Sequence, residues 1–272
     1  MKNVLRGLII DDQVSLTVID CTEIAREAYR LHVLCGEEGH AFLRALSFGA
    51  YLSACLKELR GQVSAEIRCE KMTVSVSGNY ALRVRGSFEP YATDLKNFGE
   101  GGITVIRDDG YSRPFVGLCA LTGGAPDDDF SEYFRVSEQL PTTVCTVVET
   151  DEKGGVVFSG IAVLQPLPFA EPRTLEIMPK YEELQALLAK VKKQGVGTVK
   201  KEFALTTVTE RRAEYKCNCS KGYLRGVLQS LGEAEMRKII REDGAVRVHC
   251  HYCNTDYAFD ETDADEMFSK EE

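Results

Sequence analysis

Four cysteines stand in two close pairs, Cys217-Asn218-Cys219 and Cys250-His251-Tyr252-Cys253, with 30 residues between the pairs. Thiolate suits a borderline-soft ion such as Zn²⁺, four sulfurs complete a tetrahedron, and each close pair grips the ion from one stretch of backbone. The spacing therefore predicts one zinc ion held by Cys217, Cys219, Cys250 and Cys253. A site closed by four sulfurs leaves no position for water, which argues against hydrolytic chemistry. His249 and His251 flank Cys250, but four thiolates already suffice, so both are read as lying outside the ligand set. In an extended strand, residues two apart have Cα atoms about 6.6 Å apart, near the upper limit for a disulfide. Chelation by Cys217 and Cys219 is easy in that geometry, whereas joining them needs the backbone to bend. Oxidation of this pair is thus coupled to loss of the ion.

The other six of the ten cysteines, Cys21, Cys35, Cys55, Cys69, Cys119 and Cys145, are scattered without ligand spacing and read as small packing residues. The first dozen residues carry too short an apolar run for a signal peptide. The longest apolar stretch, Ala41 to Leu56, contains Arg44 and falls short of the roughly 20 residues that span a bilayer. The chain is read as cytoplasmic with no membrane contact, where thiols are kept reduced and a standing disulfide framework is not expected.

The elements that must position these groups follow from periodicity. Asp20-Cys21-Thr22-Glu23 has the form of a capping box ahead of Ile24, Ala25, Ala28 and Tyr29 at helical spacing. A second helix, His40 to Leu59, is apolar or small almost all round and should be core, with Gly61 ending it. Alternation over 63–69 and 72–76 predicts strands. Further strands are expected over 80–84, 103–106 and 114–118, and a hairpin joins 144–149 to 156–164 across Asp151-Glu152-Lys153-Gly154-Gly155. One short helix over 129–139 interrupts them. Strands in runs with helices at either end predict an α+β fold with mainly antiparallel sheet.

Pro179 opens a helix in which Tyr181, Leu184, Leu187, Leu188 and Val191 form one stripe, acids fill the first turn, lysines fill the last and Gly195 stops it. Residues 179–214 carry net charge +3, against −8 for 1–178 and −4 for 215–272. Three parts are therefore expected: an α+β domain over 1–178, a basic helical linker over 179–214, and a small zinc lobe over 215–272. The lobe should hold helices 221–229 and 233–241, capped by Gly244, and strands 245–249 and 255–259 about the second cysteine pair. So small a core rarely holds alone, and the metal supplies the deciding stability. The carboxylates Asp127-Asp128-Asp129 read as a solvated helix start, and the acidic run from Asp256 to Glu272 as solubilising.

Neither Gly99-Glu100-Gly101-Gly102 nor Gly195-Val196-Gly197 makes a dinucleotide fingerprint, and no ATP-binding Gly-x-x-x-x-Gly-Lys-Ser/Thr loop occurs. Net charge −9 argues against general phosphate binding. Two alternatives stay open: a zinc-stabilised nucleic-acid module using the basic 179–214 segment, and a thiol-disulfide oxidoreductase using Cys250 and Cys253.

At the cysteine cluster the sequence resembles the redox-regulated thirty-three-kilodalton heat-shock chaperone family, whose signature is Cys-x-Cys followed at this interval by Cys-x-x-Cys. Ser220, Leu228-Gln229-Ser230-Leu231-Gly232 and Glu242-Asp243-Gly244 match the surrounding phrase. Upstream, Val84-Arg85-Gly86, 99–105 and Tyr133-Phe134-Arg135-Val136-Ser137-Glu138-Gln139 match as well, so the likeness covers most of the chain; residues 87–98 and 122–129 depart from it. The resemblance implies a non-enzymatic, ATP-independent holdase, inactive when reduced and zinc-bound. It also implies that oxidation expels zinc, joins Cys217 to Cys219 and Cys250 to Cys253, and unfolds the lobe. The oxidised form is expected to be a homodimer that binds unfolding client proteins, with the 181–191 stripe and the face beneath it uncovered.

Overall fold

The computed structural model describes residues 2–34, 39–92 and 97–269. The chain divides into two compact units, Met1–Lys216 and Cys217–Glu272. In the first, strands β1 (Val4–Ile9) and β2 (Val14–Asp20) lead into helices α1 (Thr22–His32) and α2 (His40–Ala54). Strands β3 (Gln62–Cys69), β4 (Met72–Asn79), β5 (Arg83–Pro90), β6 (Gly101–Asp108) and β7 (Phe115–Ala120) follow. Helix α3 (Pro126–Tyr133) runs on into a π-helical turn, Phe134–Glu138, before the hairpin of β8 (Thr143–Thr150) and β9 (Val156–Pro166). Then come α4 (Pro172–Ile177), α5 (Tyr181–Gln194), α6 (Val199–Glu202), β10 (Thr206–Arg211) and β11 (Glu214–Tyr215).

Two sheets result, ordered β10-β1-β2-β9-β8 and β11-β5-β4-β3-β6-β7. Every neighbouring pair in them is antiparallel except β11 with β5. The α+β class with mainly antiparallel sheet is therefore what the chain adopts. Helix α2 fills the main core, where its Phe42, Leu46 and Phe48 meet strand residues such as Val74, Val84 and Ile161. Backbone and helix approach closely there: a Cβ on Gly86 would lie 2.8 Å from Leu46 and 2.9 Å from Phe42. The opposite face of the first sheet forms a second core, where Leu16, Val18 and Leu164 meet Leu184, Leu187, Leu188 and Val191 of α5.

Several expectations are corrected. Helix α2 stops at Ala54, not Leu59, because Lys57, Glu58 and Arg60 cannot continue a core helix; Gly61 instead closes a turn, its N–H donating to Glu58 O at 2.8 Å. Residues 80–82 are a turn and not strand, with Leu82 at φ 59° and Asn79 Oδ1 accepting from Arg83 N at 3.2 Å. Asp20 accepts from Thr22 N at 3.0 Å without completing a capping box. The segment 179–214 is helical only as far as Glu202, after which the β-branched run Thr206-Thr207-Val208-Thr209 pairs with β1 as β10.

Of the three carboxylates at the start of α3 only Asp128 is solvated, since Asp127 and Asp129 are buried. Asp127 accepts from Thr146 N at 2.9 Å, from Thr146 Oγ1 and from Tyr181 Oη–H at 2.8 Å, and Arg44 lies 3.5 Å away. One buried carboxylate thus ties α2, β8 and the start of α5 together. Burial beside Asp127 holds the Tyr181 phenol above its ordinary pKa.

Candidate metal centre

The second unit holds α7 (Lys221–Gln229), α8 (Glu233–Asp243), β12 (Val246–Cys250), β13 (Thr255–Phe259) and α9 (Glu261–Phe268). Ser220 caps α7 by accepting from Tyr223 N at 3.1 Å, so the helix starts directly after Cys219. Gly244 ends α8 in the left-handed conformation, φ 79°. The β12–β13 hairpin turns through Asn254 at φ 55°, a conformation asparagine tolerates, and Asn254 N donates to Cys250 O at 2.8 Å. That turn carries Cys250 and Cys253 on one knuckle opposite the Cys217–Cys219 stretch, which belongs to no helix or strand.

The four sulfurs come together. All lie within 4.8 Å of one another, with Cys217 Sγ 3.7 Å from Cys250 Sγ and Cys219 Sγ 3.1 Å from Cys253 Sγ. A tetrahedron of Zn–S bonds of about 2.3 Å places its sulfurs about 3.8 Å apart, so donor set and spacing both suit such an ion. Among the described residues these cysteines are the cluster that can hold a metal. His249 turns away to Asp256, Nδ1 to Oδ1 2.7 Å, and His251 packs edge-on against it, ring centroids 5.0 Å apart. Neither histidine belongs to the cluster. Burial raises the thiol pKa values of Cys219 and Cys250, so thiolate there depends on a partner such as a bound cation.

Sequence reasoning missed two parts of this site. Tyr257, on β13, sets its hydroxyl 3.3 Å from Cys219 Sγ; this hydrogen bond, with burial, pushes the phenol up to about 12, so it stays protonated at neutral pH. The residues read as a solubilising tail include helix α9, and that reading is corrected. Asp260 Oδ1 accepts from Asp263 N at 3.1 Å in a capping box, while Ala264 and Met267 enter a core with Leu228, Met236, Ile240, Val246 and Phe259. Asp263 accepts from Lys221 Nζ at 2.7 Å and Arg225 Nη2 at 2.6 Å, which hold its carboxyl near 2. The signal was present as Asp260-x-x-Asp263 ahead of Ala264 and Met267.

Of the expected stripe, Leu184, Leu187, Leu188 and Val191 are buried on the first sheet of their own unit, and Tyr181 is half-buried on Asp127. Cys21, Cys69, Cys119 and Cys145 are buried, Cys55 is half-buried, and Cys35 lies outside the described residues. Desolvation holds the Cys21 and Cys145 thiols up at about 12, where they are inert. Among the described residues no helix is long and apolar enough to cross a membrane.

A family model described as Hsp33 protein matches residues 2–260. A 33 kDa chaperonin of Bacillus cytotoxicus is 28% identical over 98% of this chain and 99% of its own length. A 33 kDa chaperonin of Bacillus cereus is 27% identical over 97% of each. Among solved structures, the 33 kDa chaperonin (heat shock protein 33 homolog) of Thermotoga maritima superposes with TM-score 0.81 at 24% identity, covering 98% of both chains.

Proposed function

Because the chain belongs to the Hsp33 protein family, we propose that it is a redox-regulated, ATP-independent holdase of the cytoplasm, acting without turnover on unfolding client proteins. The observation that carries this reading is the convergence of two close cysteine pairs in a lobe whose own core, among the described residues, is seven buried apolar side chains. In the reduced state Cys217, Cys219, Cys250 and Cys253 hold one Zn²⁺, which supplies the cross-link so small a core lacks. Zinc-bound sulfurs remain thiolates and hence nucleophilic toward oxidants.

On oxidation, the Cys217–Cys219 and Cys250–Cys253 pairs each form one S–S bond. Each pair passes two electrons to an oxidant such as hydrogen peroxide, which with two protons leaves as water. Sulfurs so joined no longer chelate, and the lobe forfeits binding energy on the order of 10 kcal/mol. Residues 215–272 unfold, and the segment 179–214 acts as a metastable linker that follows. The stripe Leu184, Leu187, Leu188 and Val191 is covered by its own sheet, so client binding requires α5 to lift, uncovering both the stripe and the sheet face beneath. Features that favour this release are the exposed side chains of Thr206 to Thr209 and the positive φ, 48°, of the β-branched Thr207. The oxidised form is a homodimer in this reading.

The nucleic-acid alternative gains no support from the basic segment, whose Lys190, Lys192 and Lys200 pair with Glu202, Glu149 and Glu210. Turnover by Cys250 and Cys253 alone is disfavoured by the 3.1 Å approach of Cys219 to Cys253. The test follows zinc release, free thiols and aggregation of a denatured client together during treatment with peroxide and mild heat. Zinc loss, four thiols consumed and suppressed aggregation are expected. Zinc release with client aggregation no slower than with the reduced protein overturns the reading.

A further inference from the structure

Strand β13 alternates, so Thr255, Tyr257 and Phe259 share one face. Phe259 is fully buried in the core of the second unit, and the ring of Tyr257 packs at that core's border. For packing alone, phenylalanine would serve at 257. The hydroxyl is the surplus feature, and it is 3.3 Å from Cys219 Sγ, within the range of an O–H to sulfur bond. Thr255 also approaches the cluster, Oγ1 3.3 Å from Cys253 Sγ, but it accepts there and donates its own proton to Cys253 O at 3.3 Å.

Four thiolates around a divalent cation leave the site with two surplus negative charges. The two cations that follow Cys219 most closely in the chain, Lys221 and Arg225, are turned to Asp263. A neutral donor aimed at one sulfur therefore has a defined task. Its bond to a thiolate is charge-assisted, it stabilises the ion-bound state, and it withdraws electron density from the sulfur that an oxidant must attack.

Resting on the zinc-switch reading above, we propose that Tyr257 is a positioning residue of the switch. Its O–H donates to the Cys219 thiolate, steadies the zinc-bound cluster and lowers the reactivity of that sulfur, so that Tyr257 sets the oxidant level at which zinc is lost. Cys219 is the guarded sulfur, and removing the hydroxyl sensitises the protein without unfolding it.

The experiment compares full-length, reduced, zinc-loaded wild type with Tyr257→Phe, using Tyr223→Phe as control, since Tyr223 is an exposed tyrosine on α7. Zinc affinity is measured by competition with a chromogenic chelator, and zinc release by peroxide under pseudo-first-order conditions. Loss of an outer-shell partner costs about 10- to 100-fold in metal affinity; the expectation for Tyr257→Phe is the lower end of that range, with release several-fold faster. In the cobalt-substituted protein the thiolate-to-metal charge-transfer band should move to lower energy, a change that altered packing alone would not produce. Hydrogen exchange over α7, α8 and α9 should match wild type. Equal affinity, release rate and band position in wild type and Tyr257→Phe overturn the assignment while leaving the zinc switch intact. The same changes in Tyr223→Phe overturn it too. Failure of the wild type to bind zinc removes both this inference and the reading on which it rests.

Discussion

Two buried side chains in the first unit show how much can hang on one polar atom. Asp129 is fully buried; Oδ1 accepts from Thr122 N at 2.6 Å and Thr122 Oγ1 at 2.7 Å, while Oδ2 has no partner among the described residues. Desolvation raises its pKa, so the folded state favours the protonated form more than the unfolded chain does. Its stabilising contribution is present at low pH and lost as pH rises through the folded-state value. Comparing wild type with Asp129→Asn by denaturant titration, the wild type should gain relative stability on going from pH 7 to about pH 4; a constant difference would show that Asp129 does not titrate with folding. At the other site, Tyr181→Phe removes a donor from the Asp127 carboxylate. About 1–3 kcal/mol of stability should go with it, read as faster amide exchange along α5. Neither role was legible beforehand, because the partners Thr146, Arg44 and Tyr181 are brought to Asp127 only by the fold.

Among the elements, α9 is the one whose composition misleads. Four of its eight residues are acidic and Asp260 precedes them, yet Ala264 and Met267 complete the lobe core. Met267→Ala should cost about 2–5 kcal/mol in that unit and weaken zinc binding in parallel, checked by thermal unfolding and chelator competition; an unchanged midpoint would return α9 to the status of a tail. The strands divide the same way. The second sheet, which alternates cleanly, was legible over 63–76, whereas β1 and β2 were not recognised. In β2 six of seven residues are buried, because both faces of the first sheet are covered, and two-sided burial erases the period of two. Helix 181–194 was legible end to end, since proline, charge order and glycine all agreed with its stripe. The cysteine site was legible because ligand spacing is local, but its hydroxyl neighbour was not, since nothing in Tyr257-Ala258-Phe259 marks a phenol aimed at sulfur.

For the whole molecule, the first unit has two apolar cores and two sheets, whereas the second has one small core and its cluster. Chelating zinc from the reduced protein should therefore abolish amide protection over 217–269 while the strands of 2–166 keep theirs, as read by hydrogen exchange; uniform loss across the chain would mean that the units do not fold independently. The first unit ends in a stretch of particular construction. Within residues 206–215, β10 closes the β1 edge of one sheet and β11 closes the β5 edge of the other. Asn3 pins the bend between them, donating to Ala213 O at 3.1 Å and accepting from Ala213 N at 2.8 Å. Only Lys216 separates Tyr215 of β11 from Cys217, so any disorder beginning at the cysteines has one residue in which to dissipate before it reaches a strand. If it travels further, what opens is main chain as much as apolar surface, two lines of unpaired N–H and C=O groups that any extended polypeptide can read regardless of its side chains.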